Sequence, residues 1–260
     1  MKYALKFAYE GTRFEGYARQ PGKTTVEGEM LRALKALGIA ETLQSASRTD
    51  RGVSAAGNVI AIDTDFQAKA IISALNSELE GIHFHSQAVV QEDFNPRHAE
   101  QRWYRYVLQR DGTPPIKELG KAAKFFLGEH DFRQFSKKDT GNENTVLTID
   151  SIEFSEHGDF IFVDIKAQRF LWELVRRMLA AIMDVANRKL EPELVKEMLI
   201  GNAWHPRGLK PLAPEFLVLM DISYGIEFEN SNEKEDYFQE QSMDLRLRSE
   251  VIGLISTQLE

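Results

Sequence analysis

Stretches in which apolar and polar residues alternate constrain the fold of this chain most. Tyr3, Leu5, Phe7 and Tyr9 alternate with small or charged residues. The range 101–109 repeats the pattern, with two tyrosines and a leucine on one face. Because successive side chains of a strand point to opposite faces, each stretch predicts a strand with one buried face. Helical periodicity fills the intervals, so the pattern predicts sheets with helices packed against them.

The same order of elements occurs twice along the chain. In the first half we predict a strand at 3–9, a helix that a capping box of Thr24 and Glu27 starts and Gly38 ends, a strand at 59–63, a helix at 67–79 and a strand at 82–90. In the second half we predict a strand at 101–109, a helix at 116–127, a hairpin of 145–154 and 160–167, a helix at 170–187, a helix from Pro192 to Gly201 and a strand at 216–222. Both halves run strand, helix, strands, helix.

Two boundaries divide these elements into predicted domains. Pro96 breaks regular structure between 93 and 99, which places the boundary between residues 1–97 and 98–228. The tail, 229–260, begins with acidic residues and ends with apolar ones, and we predict an amphipathic segment there. It packs as a terminal helix or contacts a partner subunit.

Charge is distributed unevenly along the chain. The net charge is −8, but residues 221–260 hold ten acidic and three basic residues, and the preceding 220 residues hold 30 acidic and 29 basic ones. The acidity therefore belongs to the tail, and clustered arginines leave room for a local basic surface that fits a nucleic acid.

Composition excludes several classes of site. The chain has no cysteine, which excludes disulfides, thiolate metal sites and cysteine nucleophiles. His83 and His85 share a strand face, but no third ligand accompanies them, so no metal site is predicted. No apolar run is long enough to cross a membrane, and the first ten residues lack a signal-peptide pattern, so a cytoplasmic protein is predicted.

The stretch from Ser47 to Asn58 carries the main candidate for chemistry. Asp50 is flanked by Arg48 and Arg51 and precedes Gly52. Two neighbouring cations favour the ionised carboxylate, and glycine permits a backbone bend. Taken alone, this stretch is typical of an ordinary surface turn.

Five stretches together resemble the TruA-type tRNA pseudouridine synthases, and archaeal members in particular. They occur in the family's order over residues 1–225: Phe7–Tyr17, Thr25–Gly28, Arg48–Val53, Arg102–Tyr106 and Phe170–Arg177. Arg48–Val53 is similar to the family's Arg-Thr-Asp-x-Gly-Val motif. The resemblance implies an α+β pseudouridine synthase fold, in which two α/β halves with mainly antiparallel sheets are joined side by side around a central cleft.

The resemblance also implies an activity and roles for particular residues. The activity is isomerisation of uridine to pseudouridine in the anticodon stem-loop of tRNA, at positions 38–40, by a homodimer that needs no cofactor and no metal. Asp50 is the implied catalytic residue, as nucleophile or base, and Tyr104, Arg176 and Leu171 are the implied substrate-binding residues. Basic residues that are candidates for RNA contact are Arg13, Arg48, Arg51, Arg97, Arg102, Lys137 and Lys138.

Two other classes of function stay open at this point. Paired α/β halves with surface aromatic residues also fit a non-catalytic RNA-binding module. A glycoside hydrolase would need two carboxylates at a defined separation, and the motif around Asp50 supplies one.

Overall fold

A single sheet organises the molecule. The computed structural model describes residues 1–138, 144–205, 208–231 and 236–259. Ten strands form one sheet in the order β10-β4-β1-β3-β9-β5-β8-β7-β6, and β2 pairs with β3 beside this path. The strands are β1 Lys2–Tyr9, β2 Gln44–Ser45, β3 Ser54–Asp63, β4 Ile82–Val90, β5 Gln101–Gln109, β6 Gly128–Asp131, β7 Val146–His157, β8 Phe160–Ala167, β9 Leu217–Ser223 and β10 Glu229–Asn230.

Helices cover the apolar face of this sheet. They are α1 Val26–Ala36, α2 Ala68–Glu78, α3 Ile116–Ala123, α4 Leu174–Ala186 and α5 Pro192–Leu199. A further helix, α6 Asp236–Leu259, follows in the tail. The alternation in β1 buries Leu5, Phe7 and Tyr9 almost completely, and in β5 it buries Tyr104 and Tyr106. Burial of these large side chains is the main stabilising contribution to such a core.

The strands of the two predicted halves meet in a short parallel contact. Ser54 and Ala55 of β3 pair with Val218 and Leu219 of β9, whereas the other paired strands run antiparallel. The predicted fold class, α+β with mainly antiparallel strands, is confirmed, and both halves share one continuous sheet. The domain boundaries after residues 97 and 228 stay predictions.

Two predicted helix starts were wrong. Thr25 rather than Thr24 caps α1, and its hydroxyl accepts a hydrogen bond from the Gly28 backbone N–H at 3.3 Å. The helix predicted from Phe170 begins at Leu174, because Glu173 takes a left-handed backbone conformation with φ of 61°. A residue in the left-handed conformation cannot continue a right-handed helix, so α4 cannot extend back through Glu173 towards Phe170.

The tail begins with a short strand that pairs with the first half of the sheet. In the tail, β10 pairs with β4, and the long helix α6 follows. Described side chains from 239 to 252 are exposed, including Met243, Leu247 and Val251. The helix therefore presents apolar groups to solvent. Among the described residues, no helix is both long and apolar enough to cross a membrane.

Candidate active site

The loop between β2 and β3 carries Asp50, and contacts on both sides fix its shape. The Tyr9 hydroxyl and the Thr49 Oγ1 lie 2.7 Å apart, and Asn58 Nδ2 donates to the Ser47 carbonyl at 2.9 Å. Gly52 has φ of +86°, a left-handed conformation that glycine adopts without strain and that makes the bend after Asp50. Ser47 and Thr49, on the N-terminal side of Asp50, are therefore held in place by the strands β1 and β3.

The neighbouring backbone can approach this loop only because of another glycine. A Cβ atom built on Gly11 would lie 2.2 Å from the Val53 carbonyl oxygen. The Gly11 backbone N–H also donates to Ser54 Oγ at 3.0 Å. A side chain at position 11 would therefore push the loop that carries Asp50 away from the end of β1.

Asp50 forms an ion pair with Arg176, which lies 126 residues away in the sequence. Nη2 of Arg176 donates to Oδ2 of Asp50 at 2.6 Å, and Nη1 donates to the Leu212 carbonyl at 2.9 Å. The Arg176 side chain is 7% exposed and the Asp50 side chain 18%. The guanidinium is thus fixed inside the protein, while the carboxylate keeps access to solvent. A charge-assisted pair of this kind orients an ionised carboxylate.

A second carboxylate near this pair was not predicted. Glu173 accepts hydrogen bonds from Nε and Nη2 of Arg177 at 2.9 and 2.5 Å through one oxygen. Its other oxygen lies 3.8 Å from Nη2 of Arg176. The i,i+4 spacing of Glu173 and Arg177 was the available signal in the sequence. The left-handed backbone that places Glu173 beside Arg176 has no such signal.

Tyr104 is buried beside Asp50. Its ring packs edge-on against Phe170 with centroids 5.0 Å apart. Burial raises the pKa of the Tyr104 phenol to about 12; the Arg102 guanidinium opposes this rise and the Asp50 charge adds to it. The phenol is therefore neutral at physiological pH and can donate a hydrogen bond. Leu171, the other predicted substrate contact, is half-buried against the core just before α4.

Arg102 does not occupy the surface position expected of an RNA contact. It is 8% exposed, and its guanidinium donates to Ser47 Oγ at 2.9 Å, to the Ala46 and Arg97 carbonyls at 3.2 and 3.0 Å and to the Gln168 carbonyl. Burial lowers the pKa of Arg102 from its usual value. Because four of its five N–H donors bond to protein groups, Arg102 joins the segments around Asp50 and is engaged within the protein.

The remaining predicted RNA contacts lie at the surface. Arg48, Arg51, Arg97 and Lys138 are exposed. Arg13 forms an ion pair with Glu80. The Lys137 ammonium lies 4.1 Å from the centre of the Trp172 ring and 3.9 Å from a Glu173 oxygen.

The described part of the chain contains no group of three or more histidine, aspartate or glutamate side chains placed to hold a metal ion. His85 instead contacts the Ser86 hydroxyl and the Ala56 carbonyl through its two ring nitrogens, at 2.8 and 2.9 Å.

Comparison with known proteins gives a consistent set of relatives. A family model described as tRNA pseudouridine synthase matches residues 122–225, a range that includes Arg176 but not Asp50. The tRNA pseudouridine synthase A of Pyrococcus furiosus is 42% identical over 94% of this chain and 92% of its own length. The protein of that name from Pyrococcus abyssi is 41% identical over 97% of this chain and 96% of its own length.

Similarity to solved structures is weaker. A Cbf5–Nop10–Gar1 complex matches at 14% identity over 68% of this chain and 43% of that chain, with a TM-score of 0.36. At that score the match gives no information about the site.

Proposed function

The chain belongs to the tRNA pseudouridine synthase family, and from this premise we propose that it isomerises uridine in tRNA to pseudouridine without a cofactor. The observation that carries the proposal is the contact between Asp50 and Arg176 at 2.6 Å. It joins the motif in the first half to the helix in the second half, and it leaves the carboxylate open to a substrate.

The chemistry needs no group outside the protein. The N1–C1′ bond of uridine breaks, the base turns, and C5 bonds to C1′. The proton on C5 is then lost, and N1 takes up a proton, so product and substrate have the same composition. An ionised carboxylate serves either as nucleophile at C1′ or as base at C2′, and both roles fit Asp50.

Arg176 and Tyr104 act on this carboxylate and on the base. Because Arg176 is fixed by the Leu212 carbonyl, it holds Asp50 in one orientation. The neutral Tyr104 phenol, buried beside Asp50, is placed to contact the uracil ring and to donate a hydrogen bond. We assign to Leu171, half-buried just before α4, an apolar contact with the base.

The substrate position is a finer part of the proposal. We place the target on the 3′ side of the anticodon stem-loop, at positions 38–40. A stacked uridine cannot reach a carboxylate that is 18% exposed, so the nucleotide has to be flipped out of its stack. Surface arginines beside Asp50, Arg48 and Arg51 among them, would hold the flanking backbone.

The test is incubation of the protein with unmodified tRNA transcripts, followed by pseudouridine mapping at single-nucleotide resolution. We expect modification at positions 38–40 and nowhere else. Modification confined to other arms of the tRNA would contradict the position, and no modification of any transcript would contradict the activity.

The glycoside hydrolase alternative gains nothing from the second carboxylate. A glycoside hydrolase needs a second carboxylate that can reach the leaving group, whereas one oxygen of Glu173 already accepts two hydrogen bonds from the Arg177 guanidinium. Release of free uracil in the mapping experiment would instead support this alternative.

Assembly and location complete the proposal. We propose a homodimer, supported by the exposed apolar side chains of α6, which a partner surface would cover. Sedimentation of the purified protein at micromolar concentration tests it, and a monomer at every concentration would contradict it. A cytoplasmic location follows from the tRNA substrate.

A further inference from the structure

A polar cavity of about 280 Å³ lies beside the Asp50 loop. Its polar lining comes from three segments: Glu27 in α1, Gln44, Ser45 and Arg48 before Asp50, and Asn95 and Arg97 at the junction between the halves. Arg48 precedes Asp50 by two residues, so a group bound here would lie close to the reacting carboxylate.

The arginines of the cavity form no ion pair with any residue in the part of the chain that the structure describes. Neither Arg48 nor Arg97 takes part in any ion pair there, whereas buried and exposed arginines elsewhere do, among them Arg32, Arg105, Arg176 and Arg177. An unpaired pair of guanidinium groups in one cavity favours an anion, and arginine binds phosphate oxygens with well-matched donor geometry.

The single carboxylate of the lining faces other groups. Oε1 of Glu27 accepts from the Ser45 hydroxyl at 3.4 Å, and Oε2 accepts from the Arg19 backbone N–H at 3.0 Å. Asn95 adds a donor to the cavity, because its Oδ1 accepts from the Arg97 backbone N–H at 3.0 Å and its Nδ2 bonds to none of the described residues. The lining therefore offers more donors than acceptors.

Arg102 holds the two sides of the cavity at a fixed separation. Its Nη2 donates both to the Ala46 carbonyl, two residues before Arg48, and to the Arg97 carbonyl, at 3.2 and 3.0 Å. The two cavity arginines thus stand on backbone that is joined by one buried guanidinium. A site prepared before binding loses less entropy when the ligand enters.

We propose that this cavity binds one backbone phosphate of the RNA strand that carries the target uridine. The volume, below the range of about 300–1,000 Å³ typical of sites for whole small molecules, suits a phosphate group with part of its sugar. The inference rests on the proposed function, since it places a phosphate of the same substrate. With the phosphate held between Arg48 and Arg97, the strand has one register in which a nucleotide reaches Asp50.

Single-linkage neutralisation tests the inference. A series of anticodon-arm RNAs would each carry one methylphosphonate in place of a phosphate near the target uridine. We expect one linkage at which neutralisation weakens binding to the unchanged protein by about tenfold, the loss of one charge-assisted contact. Arg97→Gln should weaken binding of the unmodified RNA by a similar factor and should be insensitive to neutralisation at that linkage.

Salt dependence gives an independent readout of the same contact. Loss of one phosphate contact should reduce the slope of log K against log salt by about 0.7 for Arg97→Gln and for Arg48→Gln. Arg110→Gln is the matched control, because Arg110 is exposed and lies beyond the far end of β5 from Arg102. It should leave both the slope and the linkage profile unchanged.

The outcomes separate this inference from the proposed function. Suppose that the protein forms pseudouridine in the unmodified RNA, but that neutralisation of each linkage weakens binding equally for the unchanged protein and for Arg97→Gln. The phosphate site is then wrong and the activity stands. If the unmodified RNA is not converted at all, the proposed function fails first. An unchanged thermal unfolding midpoint for Arg97→Gln shows that its binding loss does not come from misfolding.

Discussion

Two buried arginines, Arg176 and Arg102, differ in what their guanidinium groups meet. Arg176, whose side chain is 7% exposed, ends on the carboxylate of Asp50, which keeps access to solvent. Arg102 is 8% exposed, and its donors end on a hydroxyl and backbone carbonyls. A buried charge needs partners in either case, but only the first arrangement leaves a reactive group for a substrate. The partner of an arginine, more than its burial, therefore distinguishes the position that we propose for catalysis from the structural one.

Asp50→Asn should give the largest effect, because it removes the charge that Arg176 holds. We expect kcat to fall by at least about 10³-fold, since an amide is neither a nucleophile at C1′ nor a base at C2′. Binding of tRNA should stay within a few-fold of the unchanged protein. Pseudouridine formation and filter binding measure the two quantities. If the variant kept its turnover, Asp50 would not be the reacting group, and the partner of Arg176 would differ from the partners of Arg102 in no way that matters for catalysis.

Arg176→Ala should lower kcat by roughly 10²-fold, because Asp50 loses the group that orients it and the Leu212 carbonyl loses a donor. Single-turnover rates at saturating tRNA measure this loss. Arg176→Lys serves as the control, because it keeps the charge but cannot reach both acceptors with the same geometry. We expect the rate of Arg176→Lys to lie between those of the unchanged protein and Arg176→Ala.

Arg102→Ala should affect stability first. Carbonyls of Ala46, Arg97 and Gln168 would be left without their donor, and a buried unpaired polar group costs about 1–3 kcal/mol. We expect the free energy of unfolding to fall by about 3 kcal/mol, measured by urea denaturation. A variant that keeps its stability but loses kcat as Arg176→Ala does would show that both arginines act on Asp50 in the same way.

Tyr104→Phe should give the smallest of these effects, a change in how stability depends on pH. The charges of Arg102 and Asp50 both act on the pKa of the Tyr104 phenol. The phenol pKa is 10.0 in the unfolded chain and about 12 in the folded one. Between these values the unfolded state binds fewer protons, so this contribution to stability is complete below pH 10 and declines as pH rises towards 12. Relative to Tyr104→Phe, the unchanged protein should therefore lose roughly 1.4 kcal/mol between pH 9 and 11. Urea denaturation at both pH values measures the change.

Local pattern predicted the strands and helices of this chain well, because each has one buried face. The alternation in β1 and β5 also carried more information than the prediction used. Arg102 shares its strand face with Tyr104 and Tyr106, so the alternation of side chains along a strand already predicted a buried position for it. It was named as a candidate for RNA contact because of its charge.

Contacts that depend on tertiary structure could not be predicted in this way. The resemblance to a family supplied the pairing of Asp50 with Arg176, since no local rule links residues 126 apart. The left-handed conformation of Glu173 and the parallel pairing of β3 with β9 have no periodicity in sequence. The short strands β2 and β6 are held by their neighbours in the sheet and carry no pattern of their own.

The position of β9 between β3 and β5 has a consequence for biosynthesis. A ribosome makes β9 after the other central strands, so the nascent protein exposes two unpaired inner edges until residue 223 has left the exit tunnel. The carboxylate and its guanidinium partner sit on opposite sides of that gap. Premature termination before β9 would therefore release an inactive chain with edges prone to aggregation.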